Sequence, residues 1–282
     1  MGHTLAMFFR VLLIVISLFF TGNVFAKNVV YIVVEGTSRS TLYSLINQNK
    51  IPNYKTIIDR GNYRNLGIDK GLLANHDSTL IAYSGFSSQQ FHEQSVVDKL
   101  KLYKPDLDIH FILSSPIEKE YPMDVNASLV QLASLSNSPS LTYKTSSEIG
   151  NEAINFITNT KNPFLLVLNF TNVDYVGWRY REGGQKYSLA VKNTDTSIGK
   201  IIDVLKKINQ FENTEFLITT NYGYHQKLQV PNNEGWVVST QKVLRKGTIY
   251  DVFPSLLDLL EIDDTDSIFK SGYSLFKVKK SS

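Results

Sequence analysis

Asn28–Val34 reads N-V-V-Y-I-V-V, an almost unbroken β-branched and aromatic run that stops at Glu35-Gly36. A strand apolar on both faces belongs inside a parallel sheet covered by helices. Thr37 or Ser38 then offers an N-cap, and the pattern predicts a helix through about Asn47. Two further runs, Phe164–Asn169 (F-L-L-V-L-N, after Pro163) and Glu215–Thr219 (E-F-L-I-T), predict strands of the same kind. Between them Val191, Ile198, Ile201, Ile202 and Leu205 recur at helical spacing, and Val252, Leu256, Leu257, Leu259 and Leu260 mark another amphipathic helix. Buried strands alternating with helices predict an α/β fold, a doubly wound, mainly parallel sheet flanked by helices on both faces. Ligands of such sheets collect at the carboxyl ends of the strands, just past which Glu35, Asp174 and Asn221 fall. The Ser-, Asn- and Pro-rich stretch at about 121–147 is expected to be a loop-rich insertion, not a separate domain.

The first 26 residues follow a different logic. One positive charge, Arg10, precedes the apolar run Val11–Phe20, and Val24-Phe25-Ala26 supplies a small-residue ending. That is the order of a signal peptide cut after Ala26, which leaves 27–282 as a single exported domain, periplasmic or secreted. A core of about ten residues is short for a bilayer, although Met7–Phe9 could extend it into an uncleaved membrane anchor, the alternative; no other apolar stretch reaches membrane length, so no transmembrane segment is expected after cleavage. A formal net charge of +3 argues against a dedicated nucleic-acid binder. The chain has no cysteine, which excludes disulfide staples, thiolate metal sites and cysteine nucleophiles.

Several motifs stand in a telling order. V-V-E-G ends the first strand; I-P-N-Y-K-T-I-I-D-R-G spans Ile51–Gly61; N-H-D-S-T-L-I-A-Y-S-G runs from Asn75 to Gly85; D-Y-V-G-W covers Asp174–Trp178; N-Y-G covers Asn221–Gly223; and Y-D-V-F-P-S-L-L-D-L-L-E-I covers Tyr250–Ile262. This series resembles the alkaline phosphatase superfamily, most closely its phosphodiesterase (type I phosphodiesterase/nucleotide pyrophosphatase) and sulfatase-like branches, over most of residues 28–262. The resemblance implies a hydrolase fold with two divalent cations, zinc or manganese, and an activated nucleophile at position 75. It further implies metal-ligand positions at Glu35, Asp174 and Asn221, with His225 a weak match for the last family histidine.

The residues at those positions depart from the chemistry. Two adjacent cations need several anionic or imidazole ligands to offset their repulsion. Here the Asp expected at 221 is an amide, and the two motif-bound histidines are Trp178 and Tyr222. An indole N–H has no lone pair to offer, and a phenol holds its proton to a pKa of about 10. Glu35 keeps a carboxylate one methylene too long. Asn75 replaces the nucleophile with a delocalised amide that no base can activate. Ser78 and Thr79 are nearby hydroxyls whose use would need a register shift.

The expectation is therefore a degenerate site: a pseudoenzyme with no bound cofactor that holds a small anionic ligand or a protein partner. Asn75 and His76, opening a helix, together with Trp178 and Tyr222, are its candidate ligand-binding residues. Trp178, Tyr222, Tyr224 and Trp236 form a candidate aromatic floor. The alternative is an active ester hydrolase with a single metal on Glu35, Asp174 and His225; a third reading is a purely structural surface domain. Asp195, in the long helix, is read as packing.

Overall fold

The computed structural model describes residues 27–75, 77–85, 96–116, 123–134, 141–161, 163–224, 231–243, 245–263 and 272–278. A seven-stranded mixed sheet organises them. β1 (Asn28–Val34) is buried along its whole length, as the unbroken apolar run requires. It lies between β4 (Phe164–Phe170) and β5 (Thr214–Thr219), parallel to both, and β3 (Asp108–Ile112) extends the parallel half beyond β4. The order β3-β4-β1-β5-β8-β2-β9 then continues through β8 (Glu234–Ser239), antiparallel to β5, and β2 (Asn62–Gly67), antiparallel to β8. β9 (Gly247–Thr248) closes that edge, and β6 (Gly223–Tyr224) with β7 (Pro231–Asn232) forms a separate short ribbon.

Helices cover both faces. Alternate residues of β1 feed two cores, with Val29, Tyr31 and Val33 on one side and Val30, Ile32 and Val34 on the other. α1 (Arg39–Asn47), capped by Ser38, α2 (Pro52–Arg60), α7 (Ser146–Asn159) and the long α9 (Gln185–Lys207) supply the second core. α4 (Asp77–Ser84), α5 (Val96–Tyr103), α6 (Met123–Ser134) and α10 (Val252–Leu259) supply the first. The short α3 (Lys70–Asn75) precedes α4, and α8 (Asn172–Tyr180) follows β4. Among the described residues no helix is long and apolar enough to cross a membrane.

Three local expectations need correction. The 121–147 stretch is not all loop, because Val125, Leu129 and Leu132 bury one face of α6. Asn75 ends α3 and does not open the next helix, which begins at Asp77. Trp236 belongs to no aromatic floor beside Tyr222. It sits on β8 in the opposite core, its ring 6.1 Å from Tyr54 and its indole N–H donating to the Thr37 carbonyl at 2.8 Å.

Candidate functional site

The carboxyl ends of β1, β4 and β5 lie level, with Val34 beside Phe170 and Val33 beside Thr219. Each strand delivers a polar residue there. Glu35 follows β1 directly, Asn169 is the penultimate residue of β4, and Asn221 stands two residues past β5. α8, entered through Thr171, contributes Asp174 from its first turn. All four are buried.

Gly36 makes the junction possible. Its φ of +67° reverses the chain, and an added Cβ would stand 2.7 Å from the Asp174 Cα and 2.9 Å from Asp174 Oδ1. Only glycine allows that backbone approach. The Gly36 N–H donates to Asn221 Oδ1 at 3.2 Å, and the Asn221 amide donates in turn to Thr79 Oγ1 on α4 at 2.8 Å. The Tyr187 hydroxyl donates to the Gly36 carbonyl at 2.6 Å and accepts from the Ser38 N–H at 2.8 Å. Glu35, Asp174, Asn221 and Thr79 are thus tied into one buried assembly through the backbone at Gly36.

Both carboxylates in it are already hydrogen-bonded. Asp174 Oδ1 accepts from the Tyr222 hydroxyl at 2.7 Å and from the Tyr224 hydroxyl at 2.5 Å. The two rings meet edge to face, with centroids 6.0 Å apart. Glu35 Oε1 accepts from the Tyr83 hydroxyl and from the Asn169 amide, each at 3.1 Å. Burial pushes the Tyr222 and Tyr224 phenols well above their usual range, and the negative charge of Asp174 pushes the same way. Both therefore stay protonated and donate. Space for Tyr224 depends on Gly177, whose added Cβ would come within 2.9 Å of the Tyr187 and Tyr224 rings alike.

The other candidates fall elsewhere. Trp178, one turn beyond Asp174, is 42% exposed and its ring is 6.5 Å from Tyr175, away from the tyrosines that hold Asp174. The Asn75 side chain, His76 and His225 lie outside the described residues. Ser78 and Thr79 are both buried; Thr79 holds Asn221, whereas Ser78 Oγ has no hydrogen-bond partner. Sequence reasoning missed Tyr83 and Asn169. Asn169 left a trace, a polar side chain inside a wholly apolar strand; Tyr83 left none, since an aromatic in an apolar helix reads as core. Asp195 does pack, with a polar purpose: its carboxylate accepts from the Tyr54 N–H at 2.8 Å and the Asn53 amide at 2.9 Å, holding the start of α2.

A family model described as type I phosphodiesterase / nucleotide pyrophosphatase matches residues 92–268, more than half of the chain. The chain belongs to that family. Its fold is shared across the alkaline phosphatase superfamily. An alkaline phosphatase superfamily protein from Vibrio parahaemolyticus matches with a TM-score of 0.60 and 15% identity, over 90% of this chain and 70% of that one. The lipoteichoic acid synthase LtaP from Listeria monocytogenes gives 0.61 and 12%, over 90% and 76%. Alkaline phosphatase from the Antarctic bacterium TAB5 gives 0.61 and 12%, over 85% and 99%. At these identities the likeness concerns the fold. No curated protein matches the chain. Among the described residues, no three His, Cys, Asp or Glu side chains converge as a metal-holding group.

Proposed function

We propose that this family member is an exported, non-hydrolytic protein that binds a ligand or a protein partner in a remodelled cleft, at the positions where the sequence resemblance implies metals. The observation that carries the reading is the state of Asp174 Oδ1, which accepts hydrogen bonds from two buried phenols. A divalent cation needs lone pairs on that oxygen, and two O–H protons now point at it. Admitting a cation would require both tyrosines to swing away or to ionise, and burial beside Asp174 opposes ionisation. Glu35 Oε1 is likewise held by Tyr83 and Asn169, and Asn221 brings an uncharged amide oxygen committed to Gly36. This donor set does not fit two adjacent cations. Among the described residues, the side chains donating to the two carboxylates are neutral.

The rival reading is a single-metal ester hydrolase. In its favour stand two carboxylates, Glu35 and Asp174, kept buried on either side of Gly36. The two are separated by elemental analysis of the purified mature protein together with turnover of aryl phosphodiesters, phosphomonoesters and sulfates in added zinc or manganese. The proposed reading expects substoichiometric metal and no turnover. Stoichiometric metal with hydrolysis that Asp174→Asn abolishes would overturn it.

A further inference from the structure

The N-termini of α7 and α8 meet the middle of α9 at an open polar groove of about 470 Å³. Its volume falls within the roughly 300–1,000 Å³ of small-molecule sites. None of the described residues that line it is Glu35, Asp174 or a hydrogen-bond partner of either carboxylate. Hydroxyls and amides dominate the lining, and among the described residues its one charged member is Lys200.

Three features give the groove a sign and a shape. Ser146 lines it at 5% exposure, and its buried hydroxyl has no partner. An unpaired buried hydroxyl has already lost its water, so a ligand atom that bonds to it gains a hydrogen bond without displacing another. Two helix N-termini also converge here, both favouring negative charge. The capping box of α7 occupies the N–H groups of Thr145 and Glu148, while the N-cap residue of α8, Thr171, makes no side-chain capping bond. Finally, Tyr143 presents a 38% exposed ring on the wall, with Asn172 and Asn193 beside the opening. An aromatic face suits the C–H edge of a sugar ring, and amides suit its hydroxyls.

We propose that this groove binds a sugar that carries one oxyanion, phosphate or sulfate. The charged group sits on Lys200 and Ser146 at the helix N-termini, and the ring lies against Tyr143. The neighbouring charges set the contrast: Lys144 is engaged by Glu152 at 3.7 Å, and the Glu148 carboxylate, in the first turn of α7, is held by Thr145. Glu148 and Asp174, the acidic residues in the first turns of α7 and α8, work against an anion.

Isothermal titration of the mature protein with glucose 6-phosphate, glucose 6-sulfate, glucose and inorganic phosphate tests this. Both charged sugars are expected to bind more tightly than glucose or phosphate, and Lys200→Gln to weaken them about tenfold. Tyr143→Ala should weaken the charged sugars and leave inorganic phosphate unchanged. Glu148→Gln, which preserves the capping box, should tighten the charged sugars about twofold. Thermal melts confirm that each variant is folded. The proposal is overturned if charged sugars bind no better than glucose, if Lys200→Gln changes nothing, or if binding is lost in Tyr222→Phe and kept in Lys200→Gln.

Discussion

Removing the Tyr224 hydroxyl isolates the interaction on which the reading of the site rests. Tyr224→Phe keeps the ring that packs against Tyr222 and Gly177, so it leaves no cavity. What goes is one of two donors to a buried carboxylate oxygen, 2.5 Å away. A hydrogen bond to a charged buried group is worth about 1.5–3 kcal/mol, and its loss leaves the acceptor partly unsatisfied. For a domain of this size that corresponds to a melting point lower by about 4–10 °C. Tyr222→Phe should cost a similar amount. The double variant should exceed the sum of the two by about 1 kcal/mol, because the first loss leaves one phenol on Asp174 and the second leaves none. Urea unfolding of the four proteins followed by circular dichroism supplies the cycle. If each single change costs less than about 0.5 kcal/mol and the pair is additive, Asp174 is not held by these phenols, and the account of the site fails.

Other consequences can be checked with the same assays. Gly36→Ala drives a Cβ to within 2.7 Å of the Asp174 backbone from a positive-φ position, and a loss of about 3 kcal/mol or more is expected; a normal melting curve would contradict the junction as described. Asp195→Ala strips the α2 N-terminus of its cap, since Ile51 offers no side-chain bond there, and should cost about 1–2 kcal/mol, with Asp195→Asn milder. His110, stacked on Phe156 at 4.6 Å, has its pKa lowered by burial and then by Lys144. The unfolded histidine thus takes up its proton first: the contribution is complete above the ordinary value of 6.5 and disappears as pH falls through the lower folded value. The urea midpoint should therefore drop more between pH 7 and pH 5 in the wild type than in His110→Phe, and equal drops would refute the assignment.

Three of the four strands of the parallel half were written openly in the chain; β3, D-I-H-F-I and only partly buried, was not. β1, β4 and β5 are buried on both faces, so their sequences are continuous apolar runs that few other structures tolerate. The antiparallel half was hidden for the opposite reason. β2 reads N-Y-R-N-L-G and buries only Leu66, so nothing in its pattern separates it from a loop until β8 pairs with it. β8 itself, E-G-W-V-V-S, opens on Glu and Gly and directly follows Pro231-Asn232-Asn233, so its apolar run is only Trp236-Val237-Val238. At the site, the positions of Glu35, Asp174 and Asn221 were legible because strand ends and motif order locate them. Their partners were not. A tyrosine donating to a carboxylate and a tyrosine filling a core have the same letter, and only the fold brings Tyr83 to Glu35 and Tyr224 to Asp174. Trp178 misled because helical position alone does not say which way α8 faces.

The place of β1 has a cost during synthesis. This strand is among the first parts of the domain to be made, yet Val29 pairs with Leu165 on one side and Glu215 on the other. The β4 edge cannot close until the ribosome has passed Phe170, nor the β5 edge until it has passed Thr219, so this wholly apolar strand waits unpaired through much of translation. Such a chain folds late and as a whole. Any truncation upstream of β5 should leave an insoluble product, not a smaller domain.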